Sequence, residues 1–183
     1  PDKRPYDPDK DLVPITGFAQ IPISVMANPA LPAKSIAELV ALAKAKPGEM
    51  NFSVGGPGTS GHLGAILFSH MAGVSIVNVP YKGTAQSITD LVGGHVSVTC
   101  NILTPAMGNI NGGTLRPLAV TSAKRFSSLP NVPTASESGL PGFEAVLYYG
   151  LLAPAGTPRA IVERLNKELR AALSTEEVRA RIV

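Results

Sequence analysis

The sequence predicts an α/β fold with mostly parallel strands. Two patterns carry that expectation. Short runs of β-branched and apolar residues alternate with segments of helical period, each about one crossover apart. Gly, Pro, Ser and Thr punctuate the junctions, where turns and helix caps need them. A third observation bounds the size. The chain has 183 residues, 44% of them hydrophobic, which suits one globular domain or two small lobes.

The elements follow in order. The charged run Asp2 to Asp11 reads as the approach to an element; it has no apolar stretch of the kind a secretion signal needs. Residues 15–27 mix β-branched and apolar types over the length of a long strand. Pro22 inside that run marks an edge, a bend or a crossing point. Ser35 and Glu38 form a capping box that opens a helix, with Ile36, Leu39, Val40 and Ala43 on one face. Lys44 and Lys46 suit its negative end, and Pro47-Gly48 stops it. Residues 50–54 predict a strand, 55–61 a Gly-rich turn, and 62–71 a helix with Leu63, Ile66, Leu67 and Met71 on one face. Strands are expected at 75–80, 96–102, 115–121 and 145–152, and a helix at 84–92 closed by Gly93-Gly94. Residues 122–142 are loop-rich, punctuated by Pro130, Pro133 and Pro141. Thr157 is expected to cap a helix that has Pro158 at its first position and runs to about Leu173. Ser174 to Glu177 opens a last helix by a second capping box.

Composition excludes several function classes. No apolar run approaches the ~20 residues that cross a bilayer. The net charge is +3 and the basic residues are dispersed, so no nucleic-acid stripe is present. Aromatic content of 5% with no Trp argues against base-stacking platforms. Cys100 is the single cysteine and sits among apolar neighbours, which predicts a small buried core residue. His62, His70 and His95 show no metal-ligand spacing.

Three strand-to-helix junctions concentrate the polar groups. The first is Ser53 to Leu63, with Gly55, Gly56, Gly58 and Gly61. Ligands of open α/β sheets bind at such turns, and N–H groups at a helix start favour an anion. The alternative is a tight connection with no ligand. A P-loop is rejected, because His62-Leu63 stand where Lys and Ser or Thr would be. A dinucleotide site lacks its acidic residue some 20 positions on, where Tyr81-Lys82 stand. Ser60 and His62 are two apart and would not face each other, so His62 reads as a capping or packing residue. The second junction is Val79 to Thr84. Gly83 and Thr84 offer donors there, Tyr81 a ring and a hydroxyl, and Lys82 either a ligand cation or a solvated charge. The third is Asn101, either facing a cleft or serving a turn. No carboxylate pair, metal cluster or activated nucleophile accompanies them, which favours binding over catalysis.

In this order and spacing the chain resembles a known family. The residues are Gly56-Pro57-Gly58-Thr59 with His62-Leu63, Val79 to Gly83, Leu115 to Thr121, Leu129 to Thr134, and Gly150 to Pro158. They are similar to the Bug, or TctC-like, extracytoplasmic solute-binding receptors of tripartite tricarboxylate transporters. The resemblance implies a periplasmic binding protein-like fold of type II, with two α/β lobes joined by two crossing strands. It assigns 1–21 and 147–183 to the first lobe and 22–146 to the second. The family's first βα units and its C-terminal tail then lie outside Pro1 to Val183, leaving the first lobe incomplete.

The function implied is high-affinity binding of a small organic carboxylate in the periplasm and its delivery to integral membrane subunits. No catalysis, cofactor, metal, nucleic acid or direct membrane insertion is implied. The matching ligand positions are Gly58, Thr59, Ser60, Tyr81, Gly83, Thr84, Asn101 and Tyr149, acting through backbone N–H groups and hydroxyls. Asn101 stands where amino-acid-binding members often carry Asp, which points to a carboxylate without an amine. Val54 replaces a frequent Ser, removing one hydroxyl near the pocket, and Tyr148-Tyr149-Gly150 replaces Trp-aromatic-Gly. The competing readings are the effector-sensing domain of a LysR-type transcription regulator, which shares a two-lobed fold, and an enzyme on a binding-protein-like fold.

Overall fold

The protein is described by a computed structural model covering residues 5–178. Its chain divides into two compact units. One holds the described residues up to Gln20 and from Tyr148 onward; the other is Ile21–Leu147. The division falls inside two strands, β1 (Leu12–Ala27) and β6 (Val146–Pro154).

The larger unit is a sheet covered by helices on both faces. Its remaining elements are α2 (Ile36–Ala45), β2 (Asn51–Val54), α3 (Ser60–Ala72), β3 (Val77–Pro80), α4 (Thr84–Val92), β4 (Val98–Ile102), a 3₁₀ turn at Thr104–Ala106, α5 (Met107–Asn111) and β5 (Arg116–Val120). The strand order is β3-β2-β4-β1-β5. β2 runs parallel to β3 and β4, whereas β1 is antiparallel to β4 and β5. The sheet is therefore mixed, where the alternation of elements predicts mostly parallel strands. The cause is β1, which enters this unit from the other one and inserts between β4 and β5. Its ladder begins at Ile23↔Ile102, just past Pro22. Pro22 stands between that ladder and the boundary of the two units at Gln20 and Ile21.

Alternation along β1 builds two cores. Ile23, Val25 and Ala27 join Ile36, Leu39, Phe52 and Phe68 on one face. Met26 joins Ile88, Leu91 and Leu103 on the other. Phe68 packs edge-on against Phe52 at 5.4 Å and against Phe143 at 6.4 Å. Burial of roughly 1.5–3 kcal/mol per large side chain stabilises both layers.

Several expectations need correction. In α3 the buried face is Gly61, Gly64, Ala65, Phe68 and Ala72, whereas Leu63, Ile66 and Met71 are exposed. Small residues face the sheet because the helix approaches it closely. A Cβ on Gly61 would sit 2.5 Å from the Cys100 carbonyl oxygen. Ser35 accepts from the Glu38 N–H at 3.2 Å as expected, but the Glu38 carboxylate reaches the N–H of Lys34 rather than that of Ser35. The turn and short helix between Thr104 and Asn111 are additional to the elements legible in the sequence.

In the smaller unit the first part of β1 follows a four-residue helix, α1 (Pro8–Asp11), capped by Asp7. The unit also contains α6 (Arg159–Ser174). Thr157 does not cap α6. Its hydroxyl donates back to the Pro154 carbonyl at 2.8 Å, and Pro158, with extended ψ, becomes the N-cap itself. Asn166 donates to the Ile15 carbonyl, and the Ala155 N–H donates to Asp11 at 2.7 Å. The helix expected after Ser174 is described only at 176–178; the rest lies outside the described residues.

Candidate functional site

The Gly-rich turn is shaped by three separate demands. Gly58 has φ +82°, a left-handed conformation that favours glycine. Gly55 leaves room for Thr59, whose Oγ1 would lie 2.7 Å from an added Cβ. Gly61 lets the start of α3 rest on β4. The glycines thus serve the turn and the helix–sheet contact, beyond any approach to a ligand.

The turn is also internally fastened. Thr59 caps α3, its hydroxyl accepting from the His62 N–H at 3.4 Å. His62 returns the interaction, its Nδ1 accepting from the Gly58 N–H at 3.1 Å. This is the capping role expected for that histidine. The Thr59 N–H is taken by the Gly56 carbonyl. First-turn N–H groups of a helix have no acceptor within it. Those of Ser60 and Gly61 therefore stand open at the end of α3.

The start of α4 is barer still. Its N-cap is Gly83, which supplies no side-chain cap, so the first-turn N–H groups are again left to an outside acceptor. These two helix starts meet at a cavity of about 410 Å³ within the larger unit. Gly58, Thr59, Ser60, Gly61, Gly83 and Thr84 line it, with Tyr81, Lys82, Asn101, Ile102 and Leu147. Among the described residues, no acidic side chain lines it. Lys82 is exposed at the rim. The cavity can stabilise an anion by preorganised dipoles without a buried cation.

Beneath the cavity lies a buried polar network. Ser53, Ser87 and Thr99 are fully buried, and Asn101 is 4% exposed. Ser87 donates to Ser53 at 2.8 Å and lies 3.3 Å from the Thr99 hydroxyl. Thr99 donates to the Ser53 carbonyl at 2.7 Å. The Asn101 side chain donates from Nδ2 to Ser87 at 3.5 Å. Its Oδ1 accepts from the Ile102 N–H at 2.9 Å and from the Thr84 hydroxyl at 3.1 Å. Asn101 thus ties the end of β4 to the start of α4.

The structure brings seven of the eight candidate residues to one cavity and refines what each offers. Tyr81 lines it, but its hydroxyl donates to Asp90 at 2.7 Å and its N–H to Val54. Burial, then the Asp90 hydrogen bond and charge, push the Tyr81 phenol up to about 12. Tyr81 therefore presents its ring rather than a free hydroxyl. Val54 is fully buried in the apolar core and does not line the cavity, so the replacement of Ser there removes no hydroxyl from it. Tyr149 belongs to the smaller unit. It is 41% exposed and stacks on Phe18 at 6.2 Å, lining a groove with Phe18, Gln20 and Tyr148. Ser87 and Thr99 were missed by sequence reasoning, because a hydroxyl inside an apolar run carries no signal of what it bonds. Cys100 is buried, as its neighbours predict, and burial pushes its thiol up to about 12.

The family model described as tripartite tricarboxylate transporter family receptor, TctC, matches residues 2–182. The chain belongs to this receptor family. A relative from Pseudomonas sp. strain P51, the UPF0065 protein in the tcbD-tcbE intergenic region, is 41% identical over 95% of this chain and 52% of its own. Among solved structures, Rpa4515 from R. palustris with adipate is 37% identical at a TM-score of 0.90, over 98% of this chain and 60% of its own. MatC from Rhodopseudomonas palustris with bound malate is 31% identical at a TM-score of 0.84, over 97% of this chain and 60% of its own. The chain thus spans about half the length of the curated relatives it matches. The fold is that of periplasmic solute-binding proteins, and the family is one of receptors, not an enzyme class.

Proposed function

We propose that this receptor binds a small organic carboxylate and delivers it to the membrane subunits of a tripartite transporter. The cavity between the starts of α3 and α4 carries the reading. It offers unsatisfied N–H groups from two helices, hydroxyls at Thr59 and Ser60, and no acidic side chain. A carboxylate is all acceptor and matches that donor set. The adipate and malate bound to the two R. palustris relatives are carboxylates too. Membership of the receptor family supports periplasmic placement and delivery. No described helix is long and apolar enough to cross a membrane.

The test is a thermal-shift and calorimetric screen of the full-length protein against mono-, di- and tricarboxylates, with amino acids and sugars as controls. A ligand of the native state raises the midpoint by mass action. Stabilisation by an amine-free carboxylate supports the reading. Stabilisation by amino acids alone overturns the inference drawn from Asn101. Stabilisation by none of the acids overturns the carboxylate assignment.

A further inference from the structure

We propose that the Thr84 hydroxyl is a hydrogen-bond acceptor for the ligand, and that the ligand is therefore a hydroxycarboxylate. The inference rests on the carboxylate reading and adds the ligand's second functional group.

The argument starts from the orientation of one amide. The Ile102 N–H lies 2.9 Å from the Asn101 side-chain atom assigned as Oδ1. A backbone N–H cannot bond to an NH₂ group, so that atom is the oxygen. The other end of the amide, Nδ2, points to Ser87, whose proton goes onward to Ser53. Burial to 4% exposure holds this arrangement. The Thr84 Oγ1 is 3.1 Å from the same Oδ1. An amide oxygen has no proton to give, so Thr84 donates. A hydroxyl has one proton and two lone pairs. With its proton directed to Asn101, the Thr84 hydroxyl offers lone pairs alone to the cavity that the residue lines.

Lone pairs do not bond to a carboxylate. The carboxylate goes to the N–H groups of α3 and α4, and Thr84 is left for a donor on the same ligand. That donor is a hydroxyl rather than an ammonium. Among the described residues, no acidic side chain lines the cavity to balance a second positive charge, and Lys82 already lies at its rim. Thr59 and Tyr81 do not duplicate the role. Thr59 accepts from His62 and keeps its proton, as Ser60 does, for the carboxylate, and Tyr81 turns its ring to the cavity with its hydroxyl engaged by Asp90.

The experiment uses the full-length protein and three matched pairs: malate with succinate, lactate with propionate, and 2-hydroxyadipate with adipate. Dissociation constants are measured by calorimetry for wild type, Thr84→Ser and Thr84→Val. The expected result is that in the pair that binds, the hydroxyl-bearing acid binds about tenfold tighter or better. Thr84→Ser keeps that ratio and Thr84→Val brings it close to one. Should valine prevent folding, the serine ratio and a Thr84→Ala variant carry the test. Equal binding within the pairs, or a ratio unchanged in Thr84→Val, overturns this inference and leaves the carboxylate reading standing. A Thr84→Val variant that weakens both members equally also overturns it, because the hydroxyl then serves the carboxylate. Binding in the wider carboxylate screen only of acids that carry no hydroxyl overturns this inference, and binding of no carboxylate there overturns both.

Discussion

Replacing Gly61 with alanine probes the contact that places the start of α3 at the cavity. The added Cβ would lie 2.5 Å from the Cys100 carbonyl oxygen, about 0.9 Å inside the 3.4 Å at which ordinary contact begins. The obstacle is backbone, not a flexible side chain. Cys100 is paired with Val25 in the middle of the sheet, so it cannot retreat without disturbing the ladder. The helix start must lift instead. Overpacking of this kind costs about 1–3 kcal/mol. Alanine recovers up to about 1 kcal/mol of helix propensity, less in a first turn. The net loss is about 1–2 kcal/mol, or roughly 2–8 °C in Tm for a chain of this size. The internal control is Gly108→Ala. Gly108 is an exposed helical glycine with nothing within 4 Å of the added atom, so that variant gains up to about 1 kcal/mol. The assay is thermal unfolding by circular dichroism, followed by calorimetry with the best acid of the screen. Gly61→Ala should also weaken binding, because the Ser60 and Gly61 N–H groups move with the helix start. If Gly61→Ala were as stable as Gly108→Ala, the close approach of α3 to β4 would be refuted.

Other expectations follow from single contacts. Ser87→Ala removes the hub of the buried network and leaves Asn101 Nδ2 without its acceptor, so denaturant unfolding should show a loss of about 1–3 kcal/mol. The Cys100 thiol, held up to about 12 by burial, should resist a thiol reagent at pH 8 in the native protein and react on adding denaturant. The Tyr81 phenol is likewise raised to about 12, chiefly by burial and then by Asp90. Its neutral form favours the folded state, so this contribution is whole below the ordinary tyrosine value and fades as pH rises towards about 12. Ultraviolet titration should show late phenol ionisation that Tyr81→Phe removes. Glu137 accepts from the Thr134 N–H at 2.8 Å and from Arg125 at 2.9 Å, and these hold its carboxyl below the usual range. Its contribution should be present at neutral pH and lost as pH falls through that lowered value, so Glu137→Gln should lower Tm at pH 7 and cease to differ from wild type in acid.

The sequence was most legible where local chemistry decides. The Ser35 cap and the span of α4 follow from caps and periodicity alone, and the Gly83-Thr84 junction points to the uncapped helix start. It was least legible where a distant partner decides. The antiparallel insertion of β1 depends on which strands flank it, and nothing in residues 12–27 names them. Gly61 and Gly64 stand on the inner face of α3 because of Cys100, some forty residues away, so counting large apolar residues selects the wrong side. Two motifs of the family resemblance have structural work. Arg116 donates to the carbonyls of Pro29, Leu31 and Ala33, holding the loop after β1. Leu129 and Val132 pack on the second core, and the Pro133 carbonyl accepts from Val120. At the site, residue types identified the donors, but not where their protons go. The Tyr81 and Thr84 hydroxyls both donate into the protein, to Asp90 and Asn101.

The most direct test of the central claim is a titration of the ¹⁵N-labelled full-length protein with the carboxylate that stabilises it best, followed by amide NMR. Binding at the two helix starts predicts downfield shifts of the Ser60, Gly61, Gly83 and Thr84 amide protons, because each gains a charged acceptor. Amides already bonded within the protein, such as Thr59 and Tyr81, should move less. Saturating shifts confined to other residues, with these four unmoved, would contradict the account.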